Sequence, residues 1–579
     1  MKRLLASFLF LALGCSTLRQ EPVRVIVVGT TDVHGWFNGH VETPQGGGEG
    51  IAYGGLSILS SYVEALRVRH PGRVLVVDSG DMFQGTLESN LFEGEPVIRG
   101  MNAIGYVGAA IGNHEFDFGP VGAASVPRTP EDDPLGALKR NAQLARFPLL
   151  SANLIDKATG KTPSWVRRSV TVMAGGAKIG IIGLSTPDTP NVTMEVNVLG
   201  LEFTDPVKAT LETARELRKQ GADAIILIAH IGGRCQDTSD EHSLESCDRQ
   251  QHAMQLLEAL PAGTVDAYFG GHTHARMRQF VNGVPAMQAL PFSREFSTLE
   301  LYVDPQGNKV LHDRTELRTH TMICPLVYEG TSTCDPNQRG PALVPRIFEG
   351  RRIAPDARVV DLFDPYLRRV AAKRNERLGI TTAAAFSRAY TQESPLGNLV
   401  SDALREGTKA DFAVVNSGAI RAELRGGELL YSDVFAVSPF DNYPAVVQLT
   451  GAQIGELLRL TTNGERGILQ VSGLKYSYDA ALDPQKPPAE RNRLITVTKA
   501  NGEALQPDQL YTVAMPDFVA AGGDGTAPLM KTISPDRIFV DQNRPMRELL
   551  IEVLKKREGA PIAPIVEGRI TVMNATTKG

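Results

Sequence analysis

The sequence predicts a two-domain α/β protein whose domains are joined by a helix, and three observations carry that prediction. The chain has 579 residues, beyond the size at which a single hydrophobic core keeps growing, so two or more domains are expected. From Val23 onward, short Val- and Ile-rich runs alternate with helical patterns, and each run ends in a turn rich in Gly, Asp or His. Near Ala354 the texture changes to APDARVVDLFDPYLRRVAAKRNERLG, with Leu367, Val370 and Ala371 at helical spacing, and a new set of strand-like runs follows. The expected boundaries are a leader over 1–22, a first domain over 23–350, a linking helix over 351–378 and a second domain over 379–579.

In the first domain the runs are VRVIVVGTTD from Val23, GRVLVVDSGD from Gly72, YVGAAIGNHEFD from Tyr106, AKIGIIGLST from Ala177, ADAIILIAHIGG from Ala222 and VDAYFGGHTH from Val265. Continuous apolar runs of this length predict buried strands, with the polar residues at their C-terminal ends. Open α/β sheets bind ligands at that edge, so residues far apart in sequence are expected to converge in one crevice. In the second domain the strand candidates are ADFAVVNSG, PAVVQLTG, GLKYSYD, RLITVTKA and LYTVAMPDF.

The 42% hydrophobic and 22% charged fractions are those of a globular protein rather than a disordered one. A net charge of -5 argues against a broad basic surface for a nucleic-acid polymer, so an anionic substrate needs local positive charge such as metals. The start, MKRLLASFLFLALGCS, has a basic head and an apolar run of a secretory leader, which predicts export to the periplasm or outer cell surface. The ALGC around Cys15 resembles a bacterial lipobox, with Ala12 where Leu is usual, and implies a lipid anchor at Cys15. An ordinary leader that contains a cysteine is the other reading. The remaining Cys235, Cys247, Cys324 and Cys334 are an even number in an exported chain, which suggests two disulfides. Pairing Cys235 with Cys247 and Cys324 with Cys334 closes the shortest loops. A four-cysteine zinc site is the alternative, without the C-x-x-C spacing that would favour it.

The polar residues at the strand ends form one ordered set: Asp32 and His34 in TTDVHG, Asp81 in DSGDMFQG, Asn113 and His114 in GNHEFD, His230 in AHIGG, and His272 and His274 in GGHTH. Oxygen and imidazole donors without thiolate suit divalent Mn, Zn, Mg or Co. A lone Asp after a strand is often a helix cap. Five such motifs in order are not read that way. Their order closely resembles the calcineurin-like metallophosphoesterase superfamily. The resemblance implies a four-layer αββα first domain and two divalent metal ions. Asp32, His34 and His274 would hold one, Asn113, His230 and His272 the other, with Asp81 bridging. It further implies in-line attack on phosphorus by a water held between the metals. His114 would assist the leaving group, Asp117 would orient His114, and Glu115 would be support.

The motifs SPLGNLVSDAL, NSGAIRAEL, VSPFDN and PDFVAAGGDG resemble the C-terminal substrate domain of 5′-nucleotidases, so the resemblance covers nearly the whole mature chain. It implies an α/β substrate-binding domain in which Phe440 and Phe518 sandwich the base, Asp524 binds the ribose, Arg421 contacts the phosphate and Asn416 binds substrate nearby. The family places a further arginine shortly before LGN. Here Gln392 occupies that place, and Arg388, nine residues before Gly397, is the nearest candidate. The substrate so implied is a small nucleotide, with release of phosphate from nucleoside 5′-monophosphates and an extension to nucleotide sugars or di- and triphosphates. A 2′,3′-cyclic-nucleotide phosphodiesterase with 3′-nucleotidase activity shares the architecture. A nonenzymatic nucleotide-binding lipoprotein would have lost a ligand or His114, and this chain has all of them.

Overall fold

The computed structural model describes residues 21–574 apart from 43–48, 123, 305–308, 339, 341, 465, 482–492, 543 and 558–560. Cys15 and all but the last two residues of the expected leader lie outside the described residues. Each of the six apolar runs of the first domain forms a strand, at Val23–Thr30, Val74–Asp78, Gly108–Ala110, Ala177–Leu184, Ala224–Ala229 and Ala267–Phe269. They divide between two sheets. One follows the order Lys309–Val310, Glu295–Asp304, Val23–Thr30, Val74–Asp78, Gly108–Ala110, Leu149–Leu150. The other follows Met277–Val281, Val284–Gln288, Ala267–Phe269, Ala224–Ala229, Ala177–Leu184, Ser169–Ala174.

The alternation of side chains along a strand explains why both faces are apolar. Val25 and Val27 join Ile179, Ile226 and Ile228 in the core between the sheets. Ile26 and Val28 face the other way, into the core that includes Leu59 and Leu66 of helix Leu56–Arg69 and Val97 and Met101 of helix Glu95–Ile104. On the far side Ile225 and Leu227 pack with Leu217 of helix Pro206–Lys219 and Leu256 of helix His252–Ala259. Helix, sheet, sheet, helix is the four-layer αββα arrangement. Val23–Thr30 pairs in parallel with Val74–Asp78 and antiparallel with Glu295–Asp304, so the sheet is mixed.

Helix Ala357–Arg374 starts at Asp356, whose side chain accepts from the Arg358 amide at 3.0 Å, and runs on through Pro365. Its Phe363 ring packs on Phe37 of the first domain at 4.5 Å, and Lys373 lies 3.8 Å from the centre of the Tyr431 ring of the second. The second domain is built on the sheet Leu469–Ser472, Phe412–Asn416, Leu510–Pro516, Pro444–Thr450, Ile538–Val540. Helices Pro395–Thr408 and Met546–Lys555 pack on one face and Gly451–Thr461 on the other. Disulfides join Cys235 to Cys247 and Cys324 to Cys334. No helix among the described residues is long and apolar enough to cross a membrane.

Candidate active site

The loops that follow the first-domain strands bring two triads together: Asp32, His34 and His274, and Asp81, His230 and His272. Within each triad one donor atom per residue lies within 4.8 Å of the others. Asp81 Oδ2 is 3.0 Å from His230 Nε2 and 3.6 Å from His34 Nε2, so one oxygen faces both triads. His274 Nε2 is 3.0 Å from His34 Nε2 and 3.3 Å from Asp32 Oδ1. The Nδ1 atoms of His34 and His230 lie 2.8 and 2.9 Å from the carbonyls of Gln84 and Ser79, which fixes each ring with Nε2 turned inward. Asn113 Oδ1 is buried and makes no hydrogen bond among the described residues, and the close partner of buried His230 Nε2 is Asp81. Buried polar atoms are rarely left so without a function. Oxygen and imidazole donors converging beside an orphaned amide oxygen fit divalent ions.

The backbone at these positions is unusual. Asp32, His34, Asp81, His272 and His274 all have positive φ, between 48° and 77°. For residues with a side chain this left-handed region costs about 1 to 3 kcal/mol each, and such strain clusters at functional sites. Glycine supplies the close approaches: a Cβ on Gly112 would lie 2.2 Å from Asp81 Oδ1. Glu115 holds the two loops in that approach, because its carboxylate accepts from the amides of Asp81 at 2.8 Å and of Met82 and Gly112 at 2.7 Å. Burial and the nearby Asp81 charge nevertheless push it up to about 7.

His114 sits at the edge of this centre. Its amide donates to Asp81 Oδ1 at 2.9 Å, and its Nδ1 is 2.5 Å from Asp117 Oδ2. Asp117 is steadied in turn by the Thr193 hydroxyl, which donates to Oδ1 at 2.8 Å. Burial works against the imidazolium, but the Asp117 and Asp81 charges outweigh it and hold His114 above its ordinary value. The ring is thus biased toward the protonated form, with Nε2 available as a donor.

Residues of the second domain close over this point. Arg421 Nη2 is 3.3 Å from His34 Nε2, and the Phe440 ring lies 5.4 Å from the His114 ring and 5.7 Å from the Arg421 guanidinium carbon. Arg388 donates to the carbonyl of Ile420 at 3.4 Å, which puts it beside Arg421 despite its offset in sequence. Asn416 Nδ2 donates to Asp524 Oδ2 at 2.5 Å, and the Asp524 amide donates to the Asn191 carbonyl of the first domain at 3.1 Å. Asn416 Oδ1 is buried and makes no hydrogen bond among the described residues. Phe518 is half-buried and lines a crevice with Pro190, Asn191 and Thr193 of the first domain.

Comparison with known proteins accounts for both halves. Residues 25–276 match the calcineurin-like phosphoesterase family and residues 372–532 the 5′-nucleotidase C-terminal domain. The chain is 26% identical to a 5′-nucleotidase of Vibrio cholerae over 88% of each chain. The chain belongs to the 5′-nucleotidase family. It is a phosphoric ester hydrolase. The crystal structure of a 5′-nucleotidase precursor from Thermus thermophilus shares the fold at a TM-score of 0.73 and 24% identity, over 95% of this chain and 100% of that one. Endonuclease YhcR of Bacillus subtilis is 24% identical over 97% of this chain, which spans 42% of that protein's length.

Within this 5′-nucleotidase framework three features have no counterpart in the motif reading. Thr193 stands outside every motif, and only the fold brings it to Asp117. Arg466 pairs with Asp188 of the first domain and lies 3.6 Å from Asp524 Oδ1, so it joins the two sides of the cleft. Tyr390, two residues after Arg388, stands in the same cleft. A single aromatic residue or threonine in a loop carries no signal that sequence alone can separate from packing.

Proposed function

We propose that this protein is an exported, metal-dependent 5′-nucleotidase that releases phosphate from nucleoside 5′-monophosphates. The observation that carries the reading is the approach of Arg421 to His34 at 3.3 Å, which joins a phosphate-binding residue of one domain to the metal-type triads of the other. Asp32, His34 and His274 would hold one divalent ion and Asn113, His230 and His272 the second, with Asp81 between them. When bound, two such ions supply positive charge for the phosphoryl oxygens and activate a water.

The protein's own groups do the rest. Arg421 offers paired N–H donors to the phosphoryl group. His114, held protonated by Asp117, donates to the departing oxygen of the nucleoside. Asn416 Oδ1 and the Asp524 carboxylate accept from ribose hydroxyls, and Phe440 and Phe518 offer faces for the base. Export is supported by the basic and apolar start of the sequence and by the two disulfides.

The test is phosphate release by manganese-loaded protein from AMP, UDP-glucose, 2′,3′-cyclic AMP and 3′-AMP. Turnover of AMP well above the cyclic and 3′ substrates is expected. Preference for 2′,3′-cyclic AMP would replace this reading with a cyclic phosphodiesterase, and no turnover of any of the four would end it.

A further inference from the structure

Tyr390 is neither a core tyrosine nor an ordinary surface one. It is 51% exposed, yet its surroundings are those of a deep cleft. The point where a Cβ on Gly418 would lie is 3.7 Å from Asp524 Oδ2, 3.8 Å from Asn416 Nδ2 and 3.9 Å from Tyr390 Cε2. The ring therefore shares one small volume with the two residues assigned to ribose. A Cβ on Gly467 would lie 2.9 Å from Cε2 and 3.0 Å from Cζ, so the ring occupies space that only glycine leaves open. The segment is pinned there: the Ile468 amide donates to the Tyr390 carbonyl at 3.1 Å, and the Ser417 amide to the Ile468 carbonyl at 3.0 Å.

The Gly467 amide donates to the phenol oxygen, which leaves the phenol's own O–H to donate elsewhere. Burial first and then the Asp524 charge hold it above its ordinary value, so it stays protonated at neutral pH and remains a donor. Arg421, Arg466 and Asp524 all lie close enough to influence its charge.

We propose that Tyr390 is a substrate-contacting specificity residue: its ring is a wall against the ribose and its hydroxyl donates to a ribose oxygen. The inference rests on the nucleotidase reading above. A 5′-nucleotide with its phosphoryl group at Arg421 and its diol at Asp524 must pass its sugar between them, and Tyr390 stands there. In a 3′-nucleotide the phosphoryl group occupies one of the diol oxygens, so Arg421 and Asp524 cannot be satisfied together and the wall gains nothing.

The experiment compares wild type, Tyr390→Phe and Tyr390→Ala, all manganese-loaded, on AMP and on 4-nitrophenyl phosphate, which has no ribose. For Tyr390→Phe, KM for AMP is expected to rise about 3- to 10-fold, the loss of one neutral hydrogen bond, with kcat little changed. Tyr390→Ala also removes the wall and is expected to raise KM for AMP further, while the aryl phosphate stays within about twofold for both variants. Metal content and melting temperature of Tyr390→Phe should match wild type, which a merely structural role for the hydroxyl would not predict alongside the KM change. AMP kinetics of Tyr390→Phe indistinguishable from wild type, or equal losses on AMP and the aryl phosphate, would overturn the proposal while leaving the nucleotidase reading intact. Wild-type protein that cleaves the aryl phosphate but not AMP would instead sink that reading, and this proposal with it.

Discussion

The two ends of the cleft are built to different standards. At the proposed metal end Asp32, Asp81, His34, Asn113 and His230 are almost wholly buried, sit on loops directly after strands, and several have their second atoms tied to backbone groups. At the proposed nucleoside end Phe440, Phe518 and Asp524 are half-buried, and they come from turns and short helices. Metal ligation tolerates little displacement, because charge must converge on one point, and it justifies several strained residues. Stacking on a base tolerates sliding and tilting, so fewer restraints suffice. The difference teaches that geometry is invested where bonds change and relaxed where a flat surface is read.

The sharpest way to break that contrast is at Asp81, the carboxylate that faces both triads. Asp81→Ala is expected to lose bound metal and to reduce turnover by about four decades or more, the scale of removing metal-assisted chemistry altogether. Metal analysis of the purified variant checks it, and near-stoichiometric metal with normal turnover would show that Asp81 does not bridge. His114→Ala should cost about two to four decades in kcat, as for a lost general acid, while metal content stays near that of wild type. Parallel loss of metal in both variants would erase the division between ligand and proton donor.

Glu115→Gln probes the support instead of the site. Three backbone amides converge on that carboxylate, and an amide side chain would turn an N–H toward at least one of them. Metal affinity is expected to fall about 10- to 100-fold, as for other groups that orient ligands, with activity restored by excess manganese. A manganese titration superimposable on that of wild type would show that the Asp81 and Gly112 loops keep their approach without it.

The parts of this molecule that were legible in its sequence are those in which chemistry and local pattern coincide. The six Val- and Ile-rich runs are continuous because both faces of each strand are buried, and the ligand types follow directly at their ends. Strand Glu295–Asp304 escaped for the opposite reason. Its Glu295 and Glu300 interrupt the apolar run, and the fold shows them neutralised by Arg276, Arg24 and Arg318. Arg388 escaped clean placement because spacing along the chain does not report where a loop turns back, and its bond to Ile420 does. Thr193 and Tyr390 depend wholly on contacts between segments distant in sequence, for which no local pattern exists.

The smallest expected effects separate the two phenylalanines, which motif reading treats as a symmetric pair. In the structure they are not equivalent. Phe440 lies against His114 and Arg421, whereas Phe518 packs beside Pro190 and Gly523. Phe518→Ala should therefore raise KM for AMP by the value of one stacking contact, about 1 to 3 kcal/mol or roughly 5- to 150-fold, and leave 4-nitrophenyl phosphate nearly untouched. Phe440→Ala should raise KM for AMP within the same range but also lower kcat for the aryl phosphate several-fold, because it frees the His114 ring and the Arg421 side chain to reorient. Paired kinetics on the two substrates decide between them. If both variants lose only nucleotide binding, Phe440 is a stacking surface and nothing more, and the boundary between the rigid and the tolerant end lies on the His114 side of that ring.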